Sequence, residues 1–132
     1  MEIGFNAGHS AELFLKYTSA HVTSFDLGDP YVAHAKEYID AYYPGRHSLI
    51  LGDSTVTVTN CIGKYDVIFI DGGHDYDIAL ADLQNAKRLA RKNTIVIMGS
   101  SVYGRSYSSM ARVRYDNGKK ERECHGENIS YK

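Results

Sequence analysis

Three observations predict an α/β fold, namely a doubly wound and mostly parallel sheet. Apolar strand-like runs alternate with helical patterns, which is typical of βαβ units. A glycine-punctuated turn from Gly4 to Gly8 directly follows the first apolar run. An acid stands at or just after the end of each of the first four predicted strands: Glu2, Asp26, Asp53 and Asp71. Because ligands in such sheets bind at the carboxyl ends of the strands, these acids predict one shared crevice.

The elements of the first half follow from local signals. Glycines let the backbone approach a ligand closely, and a first helix is expected from about Ser10. The apolar run at 22–25 predicts the second strand. Asp29 and Pro30 are typical of a helix start, with a capping acid before a proline at the first helical position. This second helix should end before Pro44, and the third strand is predicted at 48–51.

The second half contains one ambiguous segment. Residues 55–59 alternate in β-branched side chains, which favours a strand, but the βαβ order favours a helix; a short helix opened by Ser54 is predicted. A nearly apolar strand at 65–70 and a turn at 71–75 follow. The next helix is predicted from about Tyr76 to about Lys92, with a buried side of Ile78, Leu80, Leu83, Ala86, Leu89 and Ala90.

The fifth strand is predicted at 94–98, where the motif-bearing core (1–98) ends. Residues 99–132 form a polar, shortened C-terminal part in which only 119–132 is expected to hold a further strand or hairpin. The whole chain, 1–132, is interpreted as a single domain. Because the first strand contains so few residues, the domain is expected to be reduced at both ends.

Composition limits the function. The chain has 132 residues and a net charge of −1, with 15 basic and 16 acidic residues interspersed, so neither nucleic acid nor an anionic membrane is an expected partner. Its apolar runs are of strand length, which excludes a transmembrane helix. Cys61 and Cys124 have no metal-site spacing, and a reduced, cytoplasmic setting without a signal peptide is expected. Nothing in the sequence indicates the oligomeric state.

Two motifs resemble those of the class I S-adenosylmethionine-dependent methyltransferases, and most closely their small-molecule and sugar O-methyltransferase branch. The opening, Glu2-Ile3-Gly4-Phe5-Asn6-Ala7-Gly8-His9-Ser10, resembles that branch's EIGxxxGxS motif. Phe69-Ile70-Asp71-Gly72-Gly73-His74-Asp75-Tyr76 resembles its FIDGxHxY segment. Phe25-Asp26-Leu27 and Leu51-Gly52-Asp53-Ser54 match as well. The resemblance covers residues 1–98 and implies a Rossmann-like fold of the class I methyltransferase type.

The resemblance implies S-adenosylmethionine as the cofactor and a small molecule, through a hydroxyl group, as the methyl acceptor. The methionine part would be held by the opening turn, through Glu2, Gly4, Phe5, Asn6, Gly8 and Ser10. Asp26, followed by Leu27, suits the ribose hydroxyls as an ionised carboxylate. Asp53 and Ser54 would meet the adenine edge. Asp71 would line the cofactor crevice, and Asp71 and His74 are the candidates for the catalytic base.

Other interpretations remain open. Any single strand-end acid can be a helix cap or a turn former, and His74 can cap the following helix. A nicotinamide-dependent oxidoreductase would also use Asp26 but predicts Gly-x-Gly-x-x-Gly, whereas Asn6 stands at the middle glycine position. A non-catalytic remnant with weak or no cofactor binding is the main alternative.

The sequence departs from the family pattern after the fifth strand. Family members usually carry an acidic residue or pair there, which contacts substrate or a divalent ion. Here the strand is followed by Gly99-Ser100-Ser101. A hard cation needs several carboxylate oxygens, and Asp71 alone does not supply them. No metal is therefore expected.

Overall fold

The computed structural model describes residues 1–102, 105–116 and 119–124, with side chains up to residue 99. Within these ranges seven strands form one sheet in the order β3-β2-β1-β4-β5-β6-β7. The strands are β1 (Glu2–Ile3), β2 (Val22–Asp26), β3 (His47–Leu51), β4 (Tyr65–Ile70), β5 (Ala90–Val102), β6 (Arg105–Asp116) and β7 (Lys119–Cys124). The first five are parallel, which confirms the predicted doubly wound α/β sheet.

Four helices connect these strands: α1 (His9–Tyr17), α2 (Pro30–Tyr42), α3 (Ser54–Thr57) and α4 (Tyr76–Leu89). The predicted start of α2 is confirmed in position, with Asp29 at its N-cap and Pro30 in its first turn, but the Asp29 side chain makes no capping hydrogen bond. The short helix at Ser54 is also confirmed. It forms here because the Asp53 side chain accepts a hydrogen bond from the Thr55 N–H, which favours a helix start over a strand. None of the described helices has the length and apolar character that crossing a membrane requires.

Two apolar clusters cover opposite faces of the sheet. One lies under α3 and α4 and consists of Met1, Ile3, Phe25, Val58, Ile68, Ile70, Ala86, Leu89 and Val96. The other lies under α1 and α2 and consists of Phe5, Ala11, Leu15, Val22, Val32, Ala35 and Ile39. Val22 and Phe25 of one strand fall in different clusters because side chains alternate across a strand. This layering leaves the carboxyl edge of the parallel strands open.

The buried face of α4 differs from the prediction. Leu80 and Leu83 were expected inside, but each is 40% exposed. The buried residues of the helix are Asp82, Asn85, Ala86 and Leu89. These positions share the helical spacing i, i+3, i+4 and i+7, so the helix is rotated relative to the apolar pattern. The helix also ends at Leu89, earlier than predicted, so that Arg91 and Lys92 belong to β5.

The segment after Gly99 was expected to be irregular up to residue 118, and this was wrong. β5 extends to Val102, β6 pairs with it in antiparallel fashion, and β7 pairs with β6. The polar composition hid these strands, because an antiparallel pair is held by backbone hydrogen bonds whatever its side chains. The predicted strand in 119–132 is confirmed for Lys119–Cys124, and its remainder lies outside the described residues.

Candidate functional site

A cavity of about 350 Å³ lies at the carboxyl ends of β1, β2, β3 and β4. Its volume falls within the range typical of small-molecule sites. The lining residues come from the ends of β1 and β2, from the loop that follows each strand and from the starts of α3 and α4: Ile3, Gly4, Asn6, Phe25, Asp26, Leu27, Asp29, Gly52, Asp53, Ser54, Asp71, Gly72, Gly73, His74 and Ile78. Three of the four strand-end acids therefore meet around one space.

The cavity brings together most, but not all, of the predicted site residues. Those that line it are Gly4, Asn6, Asp26, Leu27, Asp53, Ser54, Asp71 and His74. Glu2, Phe5, Gly8 and Ser10 are not among the lining residues. Sequence reasoning did not single out Asp29, Gly73 or Ile78 as site residues, although Gly73 lies within the quoted Phe69–Tyr76 motif and Ile78 follows that motif closely.

The turn after β1 presses directly on the turn after β4. Gly4 has φ +92°, and a Cβ placed on it would lie 2.3 Å from the carbonyl oxygen of Asp71. No side chain fits there without moving backbone. Gly8, with φ +77°, is the N-cap residue of α1. The two glycines thus serve different ends: one permits close approach of two loops, and the other starts a helix.

Asp26, the last residue of β2, joins the loop after β1 to the loop after β2. Its Oδ2 accepts the backbone N–H groups of Phe5 at 2.8 Å and Asn6 at 2.9 Å, and its Oδ1 accepts that of Gly28 at 2.8 Å. Partial burial raises the pKa of Asp26, but these backbone donors outweigh it and hold the pKa below its usual range. The carboxylate is therefore ionised at neutral pH and most of its acceptor directions are in use.

Asp53 caps α3, as one of the open interpretations expected. Its Oδ1 accepts from the Thr55 hydroxyl at 2.7 Å and from the Thr55 N–H at 2.8 Å. The two bonds from Thr55 lower the pKa of Asp53. Because both bonds fall on Oδ1, Oδ2 takes no part in the cap. One residue can therefore start the helix and still present an acceptor to the cavity.

Asp71 and His74 line the cavity after β4, and both side chains are exposed. The Asp71 carboxylate lies against β5, because a Cβ placed on Gly99 would be 2.5 Å from its Oδ1. An acid at position 99 would require Asp71 to move. Gly99 thus makes room for the Asp71 carboxylate.

Glu2 lies behind the site and not in it. It is fully buried, its Oε2 accepts from the Ser10 hydroxyl at 2.5 Å, and its Oε1 accepts from the Ser24 hydroxyl at 2.6 Å. Burial raises the pKa of Glu2, and the two serine hydroxyls oppose that rise. Both oxygens are therefore engaged within the protein, and Glu2 anchors the start of α1 through Ser10.

This buried network extends to a histidine that sequence reasoning missed. Ser24 Oγ lies 2.8 Å from His47 Nε2, and the His47 ring stacks on Phe5 with centroids 4.9 Å apart. Since the Ser24 proton points to Glu2, Nε2 carries the proton shared with Ser24. His47 Nδ1 has no partner among the described residues. The available signal was a polar residue in or beside each of two apolar runs, Ser24 in β2 and His47 at the start of β3.

A family model described as "Methyltransferase domain" matches residues 1–101. Three solved structures illustrate the fold. An S-adenosylhomocysteine-bound methyltransferase from Podospora anserina shares 26% identity at TM-score 0.62, covering 74% of this chain and 43% of that one. An O-methyltransferase from Bacillus cereus, in complex with S-adenosylhomocysteine, shares 24% identity at a TM-score of 0.61. The match covers 74% of this chain and 47% of that one. An S-adenosylmethionine-dependent methyltransferase from Thiobacillus denitrificans, in complex with S-adenosylhomocysteine, shares 20% identity at a TM-score of 0.63. The match covers 75% of this chain and 40% of that one.

The chain spans less than half the length of each of these three structures. No curated protein matches it in sequence. The common part is the parallel sheet with its surrounding helices, which carries the cavity.

Proposed function

We propose that this chain, which belongs to the methyltransferase domain family, binds S-adenosylmethionine in the cavity and methylates a hydroxyl group of a small molecule. The observation that carries the proposal is the meeting of Asp26, Asp53 and Asp71 with the Gly4 turn around a single space. These carboxylate acceptors match a ligand that carries an ammonium, ribose hydroxyls and an amine.

The turn after β1 suits the methionine part. Gly4 keeps this loop free of side-chain bulk, and Gly4 and Asn6 line the cavity, where their backbone can approach the methionine part closely. Glu2 and Ser10 act from behind, because their hydrogen bond fixes the start of α1 relative to β1. Phe5 and Gly8 have the same indirect role, through packing on His47 and through the N-cap. These four residues are therefore proposed to position the site without touching the ligand.

The loops after β2 and β3 suit the nucleoside part. Asp26 stays ionised, and its carboxylate can accept a hydrogen bond from a ribose hydroxyl in a direction that the backbone N–H groups do not use. Leu27 offers an apolar surface beside it. Oδ2 of Asp53 can accept from the adenine amine, and Ser54 lies beside it. The residues present thus fit the cofactor.

When bound, the cofactor supplies a methyl group on a positively charged sulfur. Held by the loops after β1, β2 and β3, it would supply that methyl group to the acceptor oxygen and leave as a neutral thioether. The acceptor must also lose its proton. Asp71 and His74 line the cavity after β4 and are proposed to receive it.

Calorimetric titration with S-adenosylhomocysteine tests the cofactor assignment and gives its dissociation constant. Denaturant unfolding then measures the stabilisation by this ligand, with NAD as the comparison ligand. At about 100 times its dissociation constant, S-adenosylhomocysteine should raise the free energy of unfolding by roughly 2.7 kcal/mol. NAD should leave it unchanged. Stabilisation by NAD alone would favour the nicotinamide-dependent oxidoreductase interpretation instead. Transfer of a labelled methyl group to a panel of hydroxylated compounds then tests activity, and cofactor binding with no turnover on any of them would favour the non-catalytic alternative.

A further inference from the structure

A second carboxylate of the loop after β2 faces the cavity. Asp29 lines the cavity, and the residue is exposed. It is the N-cap residue of α2, a position where an aspartate ordinarily accepts a hydrogen bond from an N–H of the first helical turn. Here the Asp29 side chain makes no such bond. The carboxylate is therefore not used to start the helix.

The backbone at the start of α2 explains why the side-chain cap is not needed. Pro30, the first residue of the helix, has no N–H to be satisfied. The Val32 N–H donates instead to the backbone carbonyl oxygen of Asp29, at 3.0 Å. One donor of the first turn is thus absent and another is engaged by the main chain. This arrangement leaves the Asp29 carboxylate available to a ligand in the cavity.

Asp26, the other carboxylate of this loop, is close to the limit of what it can accept. The two oxygens of a carboxylate accept about four hydrogen bonds. The backbone N–H groups of Phe5, Asn6 and Gly28 already occupy three of these directions. Burial raises the pKa of Asp26, but the backbone N–H groups, that of Asp29 among them, lower it by more. Asp26 can therefore accept at most one further hydrogen bond.

We propose that Asp26 and Asp29 share the ribose of the cofactor, each accepting a hydrogen bond from one of its two adjacent hydroxyls. The inference rests on the proposed cofactor. A ribose presents two hydroxyl donors, and Asp26 has room for only one of them. Asp29 lines the same cavity and follows Asp26 in the same loop, whereas the other lining carboxylates, Asp53 and Asp71, follow β3 and β4. Asp29 is thus a specificity residue for an intact ribose.

Two analogues of S-adenosylhomocysteine, each lacking one ribose hydroxyl, isolate this contact. Calorimetry is performed with all three ligands on the native protein, on Asp29→Ala and on Asp75→Ala. Asp75 is the matched control, because it is an exposed N-cap residue of α4 that makes no capping bond and does not line the cavity. Asp29→Ala should weaken binding of S-adenosylhomocysteine and of one analogue about 10- to 100-fold. It should leave the affinity for the other analogue unchanged, and Asp75→Ala should change none of the three.

Thermal unfolding provides an independent readout. Ligand-free Asp29→Ala should unfold at the same temperature as the native protein, because the side chain that it removes makes no capping bond. If that variant does not fold, Asp29→Asn keeps the size of the side chain and one acceptor oxygen, and it should show a smaller loss with the same split between the two analogues. Equal losses for all three ligands, or no loss for any, would overturn the proposal while leaving the cofactor assignment intact. Failure of the native protein to bind S-adenosylhomocysteine would instead overturn the proposed function, and this inference with it.

Discussion

Asp26 combines two tasks in one side chain. It holds backbone N–H groups of two loops, and it lines the cavity. Asp26→Asn should weaken S-adenosylhomocysteine binding by roughly 1.5–3 kcal/mol and lower the free energy of unfolding by about 1–2 kcal/mol, because charge-assisted bonds become neutral ones. Calorimetry and denaturant unfolding measure the two effects.

The control for this prediction is Asp66→Asn. Asp66 is an exposed acid near the opposite end of the sheet, 3.3 Å from Arg91, and such surface pairs contribute little. This variant should change neither quantity. A loss of stability in Asp26→Asn with unchanged affinity would show that Asp26 only organises the loops.

His74 offers a separate prediction at the same scale. If it accepts the acceptor's proton, His74→Ala should lower turnover about 10²- to 10⁴-fold while the affinity for S-adenosylhomocysteine stays nearly constant. Steady-state assays and calorimetry on one preparation check both. An equal fall in cofactor affinity would make His74 part of the binding turn. Asp71→Asn, compared in the same assays, shows whether the neighbouring acid contributes to that proton transfer.

At the scale of elements, a polar link joins β1, β2 and β3 through Glu2, Ser24 and His47. Burial, followed by the charge of Lys36, lowers the pKa of His47 to about 4, from an ordinary value of 6.5. The unfolded chain therefore binds more protons between these two values, and His47 destabilises the fold as the pH falls through that window. Glu2 acts in the opposite direction because its pKa is raised.

His47→Gln tests this link, because it removes the titration and leaves Glu2 to titrate. Between pH 7 and 4.5 the native protein should lose about 2 kcal/mol more unfolding free energy than the variant. Urea unfolding at both pH values measures it. His34→Gln is the control, since His34 is exposed on α2 and the pH dependence should then match that of the native protein. The same pH dependence in His47→Gln as in the native protein would contradict the assignment.

For the whole molecule, we predict that neither cofactor binding nor turnover depends on a divalent metal. No group of three or more metal-ligating side chains occurs among the described residues. Gly99, which has no side chain to coordinate an ion, lies against the Asp71 carboxylate. EDTA should leave S-adenosylhomocysteine affinity and methyl transfer unchanged, and added magnesium should not raise them. Loss with EDTA that magnesium restores would reveal ligands elsewhere in the chain.

Local sequence determined the order of elements and the edge of the sheet that carries the site. Strand-length apolar runs, the Asp29–Pro30 helix start and the cap at Asp53 depend on neighbours within a few residues, so they could be predicted. The strand-end positions of Asp26, Asp53 and Asp71 follow from the same runs, because parallel strands place their carboxyl ends along one edge.

Tertiary structure decided what each acid contacts. Glu2 faces Ser24 across two strands, and Asp26 takes donors from about 20 residues away. The rotation of α4, which buries Asp82 and exposes Leu80, depends on packing against α3 and the sheet. An apolar pattern reports which residues favour burial. It does not predict that a carboxylate is buried, because the free energy of burying that group depends on groups distant in sequence.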